Sequence, residues 1–129
     1  MQVSQKIFLK NPEGKLLALL RSETDPSRPL SWDLPGGGLE EGEKLEDSIR
    51  REIREEIGIE VGEISVFAAE SDFNKNGKYS VQIAYIGTVD NPTITLSYEH
   101  KEYRWITRDE FLALESSYKI KKFLQKLPA

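Results

Sequence analysis

The sequence predicts an α/β fold in which a mixed β-sheet is covered by helices. Several runs rich in β-branched and aromatic residues have strand character, among them KIFLK and KYSVQIAYIGTV. One segment instead has a helical repeat, because Leu45, Ile49, Ile53 and Ile57 recur every fourth residue. The chain from Arg108 onward is again helical in pattern. Strands interrupted by one early helix and followed by terminal helices indicate an α/β sandwich.

The first part of the chain predicts a hairpin followed by a long loop. Residues 3–10 form a strand, residues 11–14 (Asn-Pro-Glu-Gly) a turn, and the apolar run 15–21 a buried strand. Residues 22–31 contain two prolines and little apolar content, which predicts a loop at the mouth of whatever site the fold forms. Residues 32–34 are a short extended piece that stops at a proline and three glycines.

The middle of the chain predicts a helix and a second pair of strands. The helix runs from about Lys44 to Ile57, and Gly58 is a plausible C-cap. Residues 60–70 and 78–89 have strand composition, and the Asn-Lys-Asn-Gly sequence between them predicts a hairpin turn.

The last part of the chain is predicted to return to the sheet and then to become helical. A break at 90–92 leads to a short strand at 93–96, an acidic loop at 98–102 and a strand at 103–106. Either Thr107 or Asp109 can cap the first terminal helix. The second terminal helix has an apolar face made by Ile120, Phe123, Leu124 and Leu127.

Composition limits both the architecture and the chemistry. A length of 129 residues with 38% hydrophobic content suits one domain with its own core. No apolar run approaches the roughly 18–20 residues needed to cross a bilayer, and the N-terminus lacks a signal-peptide core, so we expect a cytoplasmic protein without a membrane partner. The chain has no cysteine and one histidine, His100. Any bound metal must therefore be held mainly by oxygen.

The negative charge of the chain is concentrated in one segment. The formal net charge is −4. Residues 40–56 contain eight acidic and four basic side chains, whereas the rest of the chain carries fourteen of each. A balanced remainder gives no electrostatic reason to expect a nucleic-acid partner. Crowded carboxylates reduce stability unless a cation offsets them, which indicates a functional role for this segment.

The acidic helix is suited to a hard divalent cation. Glu52, Glu55 and Glu56 stand at i, i+3 and i+4, so they share a helix face roughly 100° wide. Hard divalent cations prefer oxygen ligands and keep waters that a phosphate can replace. The segment before the helix is predicted to be a loop, to which a run of three glycines and Gly42 give unusual backbone freedom.

The spacing of these residues resembles the Nudix box, Gly-x5-Glu-x7-Arg-Glu-U-x-Glu-Glu-x-Gly-U, in which U is a bulky aliphatic residue. Gly37 is followed after five residues by Glu43 and after seven more by Arg51, where REIREEIGI begins. All nine specified positions are filled. The resemblance implies a single Nudix domain over residues 1–129, with an α/β/α sandwich, a mixed sheet, a catalytic loop and helix after the third strand, and C-terminal helices.

The resemblance also implies an activity. Nudix hydrolases use Mg²⁺, with Mn²⁺ as a possible substitute, to hydrolyse a nucleoside diphosphate linked to another moiety. The expected substrate is a small nucleotide, either a nucleoside triphosphate, oxidised ones included, or a nucleotide sugar such as ADP-ribose. The alternatives are dinucleoside polyphosphate hydrolysis and a nucleotide-binding module without turnover. Capped RNA is disfavoured by the missing basic groove, and isoprenoid diphosphate isomerisation by the missing cysteine. A homodimer is also possible for such a protein.

Roles inside the box follow from the resemblance. Glu55 and Glu56 are the core metal ligands, and Glu52 either ligates metal or takes the proton of the attacking water. Arg51 orients the carboxylates, and Glu43 supports the metal shell. Gly37 lets the backbone turn close to that shell, and Gly58 completes the motif.

Outside the box the candidates are fewer. Nudix proteins often supply one more catalytic carboxylate ahead of a strand that contains tryptophan. Glu99 and Glu102 precede Trp105, and Glu102 is the first choice of the two. Arg21 and Arg28 are candidates for binding the phosphates of the substrate. We also expect substrate contacts from the backbone at Gly36 and Gly37, with specificity set by loops 22–31 and 71–78.

Overall fold

The computed structural model describes residues 1–128. In this part of the chain seven strands and three helices follow one another. They are β1 (Gln2–Lys10), β2 (Leu16–Arg21), β3 (Trp32–Asp33), β4 (Gly36–Gly38), α1 (Leu45–Ile57), β5 (Ile64–Phe73), β6 (Tyr79–Thr88), β7 (His100–Ile106), α2 (Arg108–Leu112) and α3 (Tyr118–Lys126).

The predicted hairpin of β1 and β2 is present, but its strands separate after one pair. Lys10 and Leu16 are Cα partners at its closed end. Beyond that point β3 pairs with β2, and β4 pairs with β1. The segment that contains the three glycines was expected to be a loop, and that expectation was wrong. These glycines form a strand because the opened hairpin leaves the hydrogen-bonding edge of β1 free.

The remaining strands complete a mixed sheet. β6 runs parallel to β1 along its whole length, and β5 is antiparallel to β6. β7 is antiparallel to β2 on the opposite side. The order along the sheet is β3-β2-β1-β6-β5, with β4 added to β1 and β7 to β2.

Alternating side chains of the sheet enter two separate cores. On one face Ile7, Leu17 and Leu19 pack against α1. On the other face Phe8 and Ala18 join the core under α2 and α3. The period of two along each strand produces this division. The α/β/α sandwich expected from the sequence is therefore confirmed.

The apolar stripe of α1 is shorter than its sequence repeat. Ile49, Ile53 and Ile57 are fully buried, whereas Leu45 is 43% exposed. The first turn of the helix instead makes a polar contact with the sheet. Gln5 donates a hydrogen bond from Nε2 to the carbonyl oxygen of Leu45 at 3.0 Å. This contact fixes the start of α1 over β1 without burying the Leu45 side chain.

The expected strand at 93–96 is absent from the described residues, because this segment bonds to the helix instead of the sheet. The backbone N–H groups of Thr95 and Ser97 donate to the carbonyl oxygens of Ile57 and Glu56, each at 3.0 Å. They satisfy carbonyls that lack partners at a helix C-terminus. The segment 93–97 is therefore attached to the end of α1.

Two other strand boundaries differ from expectation. β5 begins at Ile64 rather than at residue 60, because Ile59 and Val61 are buried in the α1 core before the strand starts. β7 begins at His100, so most of the expected acidic loop at 98–102 belongs to a strand. Its pairing with β2 extends to Arg21 through an irregularity in register.

Both C-terminal helices start at capping residues. Thr107, rather than Asp109, caps α2 in a reciprocal capping box with Glu110. Ser117 caps α3 by accepting a hydrogen bond from the backbone of Ile120. No helix within residues 1–128 combines the length and apolar content that a membrane crossing requires.

We predict unequal effects of two truncations in the α1 stripe. Ile53→Ala removes a fully buried side chain and should lower the free energy of unfolding by about 2–5 kcal/mol. Leu45→Ala, on the same helix, should cost about 1 kcal/mol or less. Urea unfolding followed by circular dichroism measures both. Equal losses would contradict the packing of α1 described above.

Candidate active site

The opened hairpin brings β4 against the acidic face of α1. Glu56 is only 6% exposed, and its Oε1 accepts a hydrogen bond of 2.7 Å from the backbone N–H of Gly36. Burial raises the pKa of Glu56 to about 8, and the charges of Asp33 and Glu52 act in the same direction. Lys6 and the Gly36 N–H oppose this shift. Glu56 is thus a buried carboxylate that lies between the sheet and the helix.

Gly36 can be no other residue in this arrangement. Its φ of +142° lies where side chains are rarely accommodated, and a Cβ there would stand 1.9 Å from the carbonyl oxygen of Gln5. The close approach of β4 to β1 depends on this missing side chain. The hydrogen bond to Glu56 depends on it in turn.

Gly37 provides the space for the next carboxylate. A Cβ at Gly37 would lie 2.6 Å from the carboxyl carbon of Glu52, so this carboxylate occupies the volume that a side chain would fill. Burial raises the pKa of Glu52, with the charges of Glu55 and Glu99 adding to the effect and Arg51 opposing it.

Arg51 connects the loop acid to the helix acids. Its Nε and Nη2 donate to the two carboxylate oxygens of Glu43 at 2.7 and 2.9 Å. Its Nη1 lies 3.0 Å from Glu55 Oε2 and 3.2 Å from Glu52 Oε1. The hydrogen bonds from Arg51 lower the pKa of Glu43 to about 2. A guanidinium held in this way fixes the orientation of three carboxylates.

The three helix acids point to different partners. Glu56 faces β4, Glu52 lies against Gly37, and Glu55 is 60% exposed beside Arg51. Within residues 1–128 no three Asp, Glu, His or Cys side chains already converge as a metal site. The donors are nevertheless all carboxylate oxygens on one helix face, and burial together with like charge raises the pKa of two of them. This donor set fits a hard cation such as Mg²⁺ or Mn²⁺.

Gly58 ends α1 in the left-handed conformation that the box requires. Its φ is +70°, and its N–H donates to the carbonyl oxygen of Arg54. A Cβ at Gly58 would lie 3.3 Å from Cβ of Thr95. The glycine therefore both caps the helix and admits the segment 93–97, which leads to Glu99.

The structure brings Glu99, and not Glu102, to the acidic face. Burial raises the pKa of Glu52, and the charge of Glu99 adds to this rise. The carbonyl oxygen of Glu99 accepts a hydrogen bond from Ser22 N–H at 3.0 Å. Glu102 pairs with Leu20, whose side chain packs into the core on the face away from α1. Its carboxylate accepts a hydrogen bond from Arg104 at 2.9 Å. Strand alternation thus turns Glu102 to the other face, and which of the two carboxylates is catalytic stays a prediction.

A cleft of about 560 Å³ opens beside this acidic face. Its walls come from the sheet, from loop 22–31, from the β5–β6 turn and from the start of α3. Loop 22–31 and the β5–β6 turn belong to the two segments that were expected to contact substrate. No residue of α1 is among the described residues that line the cleft, but Lys6 is, and Lys6 is the register partner of Gly36, whose N–H binds Glu56. Other lining residues of interest are Arg21, Arg28, Trp32, Phe73, Gln82 and Lys119.

Asp33 organises the cations at this end of the cleft. Its Oδ2 accepts hydrogen bonds from Lys6 at 3.0 Å and from Arg21 at 2.6 and 2.9 Å. Burial alone would raise the pKa of Asp33, but Lys6 and Arg21 hold it at about 2. Arg21 thus lines the cleft as expected, although its guanidinium is paired with Asp33 and Asp25. Arg28 lies at the mouth.

Sequence reasoning assigned no role to Lys6, Gln82 or Lys119. A lysine and a glutamine inside otherwise apolar strands were the available signals, but their meaning depends on which face they occupy. His100 was expected to lie in a polar loop. It is instead 7% exposed within β7, and its Nδ1 has no hydrogen-bond partner among the described residues.

Comparison with known proteins decides the family. A model of the NUDIX domain matches residues 2–127. The chain belongs to the Nudix family. The resemblance drawn from residues 37–59 is thereby confirmed. This Nudix hydrolase is of the MutT type and acts on phosphoric anhydride bonds.

Individual relatives agree with this assignment. The nucleoside triphosphatase NudI from Enterobacter sp. (strain 638) is 31% identical over 97 residues, covering 67% of this chain and 69% of the relative. The MutT protein of Methanosarcina mazei Go1 superposes with a TM-score of 0.85 at 30% identity, over 97% of this chain and 91% of that one. A MutT NUDIX hydrolase from Burkholderia pseudomallei shares the fold, with a TM-score of 0.83 at 22% identity over 98% of each chain.

We predict that Asp33 contributes to stability in a pH-dependent way. The pKa of Asp33 is lowered from 3.8 to about 2, so its contribution is complete above about pH 4 and disappears as the pH falls through 2. Asp33→Asn should therefore lower the free energy of unfolding by about 2 kcal/mol at neutral pH. The difference from the wild type should shrink between pH 4 and 2 in urea unfolding curves. A difference independent of pH would contradict this role.

Proposed function

We propose that this Nudix hydrolase is a Mg²⁺-dependent pyrophosphohydrolase of nucleoside triphosphates, acting as a single domain. One observation carries the proposal. Lys6 lines a cleft whose volume suits a nucleotide and whose walls carry cations and aromatic rings, and it is the register partner of Gly36, which binds the helix acid Glu56.

The charge of the cleft supports a phosphate-bearing substrate. One acidic residue, Asp33, lines the cleft, and it is already paired with cations. Five basic residues line it, namely Lys6, Arg21, Arg28, Lys75 and Lys119. A chain with a net charge of −4 therefore presents a locally positive cleft, which attracts a polyanion. Phe73, which is 64% exposed, offers an apolar surface for a base.

Glu52, Glu55 and Glu56 would hold the divalent cation. When bound, the cation neutralises phosphate charge and lowers the pKa of a coordinated water. Arg51 and Glu43 fix the orientation of Glu52 and Glu55 through the hydrogen bonds and ion pairs already described. The Gly36 N–H holds Glu56 in place.

Glu99 is the residue that we assign to the proton of the attacking water. Water oxygen attacks phosphorus, the phosphoric anhydride bond breaks, and the bridging oxygen leaves with the departing phosphate. The proton released from water passes to a carboxylate. We assign this role to Glu99 because its charge acts on Glu52. Backbone hydrogen bonds to Ser22 and from the 93–97 segment to α1 support its position.

The similarity to NudI favours a triphosphate over the other substrates. That relative is named a nucleoside triphosphatase. Nucleotide sugars such as ADP-ribose and dinucleoside polyphosphates are the competing substrates, and binding without turnover is the competing function. Each gives a distinct result in the following test.

The expected result is hydrolysis of nucleoside triphosphates in the presence of Mg²⁺ and its loss after chelation with EDTA. The assay compares ribo- and deoxyribonucleoside triphosphates, oxidised guanine nucleotides, ADP-ribose and diadenosine tetraphosphate by chromatography of the products. Faster hydrolysis of ADP-ribose or of diadenosine tetraphosphate would identify that compound as the substrate and contradict the proposed preference for triphosphates. Calorimetric binding of nucleotides without any hydrolysis product would contradict the proposed activity and indicate a nucleotide-binding module.

Variants of the helix acids link this activity to the site. Glu52→Gln and Glu55→Gln should each lower kcat on the order of 100-fold or more. Glu46→Gln is the matched control, because Glu46 lies on the same helix and pairs only with Arg50 at the surface. Circular dichroism verifies that each variant is folded. Full Mg²⁺-dependent activity in both site variants would refute the assignment.

The two candidate carboxylates outside the box give a second test. Glu99→Gln should lower kcat on the order of 100-fold, with the acidic limb of the pH–rate profile altered. Glu102→Gln should retain nearly the wild-type rate, since its carboxylate faces away from α1 and accepts from Arg104. A large loss for Glu102→Gln with none for Glu99→Gln would contradict the placement seen in the structure.

A further inference from the structure

The floor of the cleft changes from apolar to polar along one face of the sheet. Phe8 and Ala84 on this face belong to the core under α2 and α3. Gln82 and Ser80 occupy the next positions of that face on β6, and they are only 6% and 3% exposed. Buried polar groups are costly unless they are hydrogen-bonded. Ser80 and Gln82 meet this condition, so this part of the floor is polar and hydrogen-bonded.

Hydrogen bonds fix the orientation of the Gln82 amide. The Ser80 hydroxyl has a single proton, which it donates to the carbonyl oxygen of Asp72 at 3.3 Å. In this assignment it accepts its other bonds, from Gln82 Nε2 and from Lys119 Nζ, the latter at 3.4 Å. Because Nε2 faces Ser80, the carbonyl oxygen Oε1 of Gln82 is left for the cleft. The Lys119 ammonium keeps further N–H donors beside it.

The strand register places this pair at the correct distance for a nucleobase. Lys6 is opposite Ala84, and Ser4 is opposite Gln82. Two residues along a strand span about 7 Å. Lys6 is the register partner of Gly36, which binds Glu56, and the proposed function places the phosphates beside these residues. A sugar extending from those phosphates along the floor brings its base to Gln82 and Lys119.

We propose that Lys119 and Gln82 select substrates whose base carries a carbonyl beside a ring N–H, namely uracil, thymine and guanine. The inference rests on the proposed function, which places the phosphates at α1. Lys119 donates to the base carbonyl, and Oε1 of Gln82 accepts the adjacent ring N–H. Cytosine and adenine present the reverse order, with an amino donor facing Lys119 and a ring-nitrogen acceptor facing Oε1.

The aromatic walls of the cleft have a different part in this recognition. Trp32 and Phe73 line the same cleft, and stacking on an aromatic ring tolerates every base. Stacking thus contributes affinity without choosing between bases. The choice falls to the polar pair, because mismatched hydrogen-bonding groups in a buried site are strongly penalised.

The test is kcat/KM with Mg²⁺ for dTTP, dGTP, dCTP and dATP. The wild type should favour dTTP over dCTP and dGTP over dATP by roughly tenfold or more. Lys119→Met keeps the aliphatic stem and removes the ammonium, and Gln82→Leu removes the carbonyl. Each should move both ratios toward one by slowing the keto substrates. Lys121→Met is the control, since Lys121 lies on the same helix outside the cleft, and it should keep the wild-type ratios.

The outcomes separate this inference from the proposed function. Equal kcat/KM values for the four substrates in the wild type would overturn the inference, and so would unchanged ratios in a folded Lys119→Met variant. If the wild type hydrolyses none of the triphosphates, the proposed activity fails instead. Base selection is then measured by calorimetric titration of dTMP and dCMP. Tighter binding of dTMP that is lost in Lys119→Met supports the inference, and equal binding overturns it.

Discussion

The hydrogen bond from the Gly36 N–H to Glu56 is the contact on which the site depends. It exists because the hairpin of β1 and β2 opens after one pair and β4 enters the gap along β1. β4 can come that close because Gly36 has no Cβ. A Cβ there would collide with the carbonyl oxygen of Gln5. The same strand carries Gly37, which leaves room for the carboxylate of Glu52. Sheet and helix are thereby joined at the acidic face itself.

Electrostatics divides the molecule into two adjacent regions of opposite sign. The acids of α1 are held at one end by Arg51, which binds Glu43 and approaches Glu52 and Glu55. The charged residues that line the cleft are mostly cations, two of which are positioned by the buried carboxylate of Asp33. Each region is costly alone, because like charges repel and buried charges lose hydration. A metal–phosphate substrate matches both regions at once, which is the physical basis of the proposed activity.

The two ends of α1 are fixed by different means, and both affect function. Gln5 binds the first turn through the carbonyl of Leu45. At the other end Thr95 and Ser97 bond to the last carbonyls, and Gly58 leaves space for Thr95. The chain that follows Ser97 then arrives at Glu99 beside the helix acids. The motif glycine at position 58 thus affects the placement of a carboxylate far along the sequence.

The sequence by itself determined the sandwich, the acidic helix, the filled box and the family, because periodicity and motif spacing are local properties of the chain. It could also pair Gly58 with a helix end and offer Thr107 or Asp109 as a cap. Only the tertiary structure decided that the glycine run is a strand, that segment 93–97 bonds to α1, and that Glu99 rather than Glu102 faces the acids. It also brought Lys6, Gln82 and Lys119 into one cleft. These outcomes depend on strand register, on the face to which each side chain turns and on contacts between distant segments, which the order of residues alone does not contain.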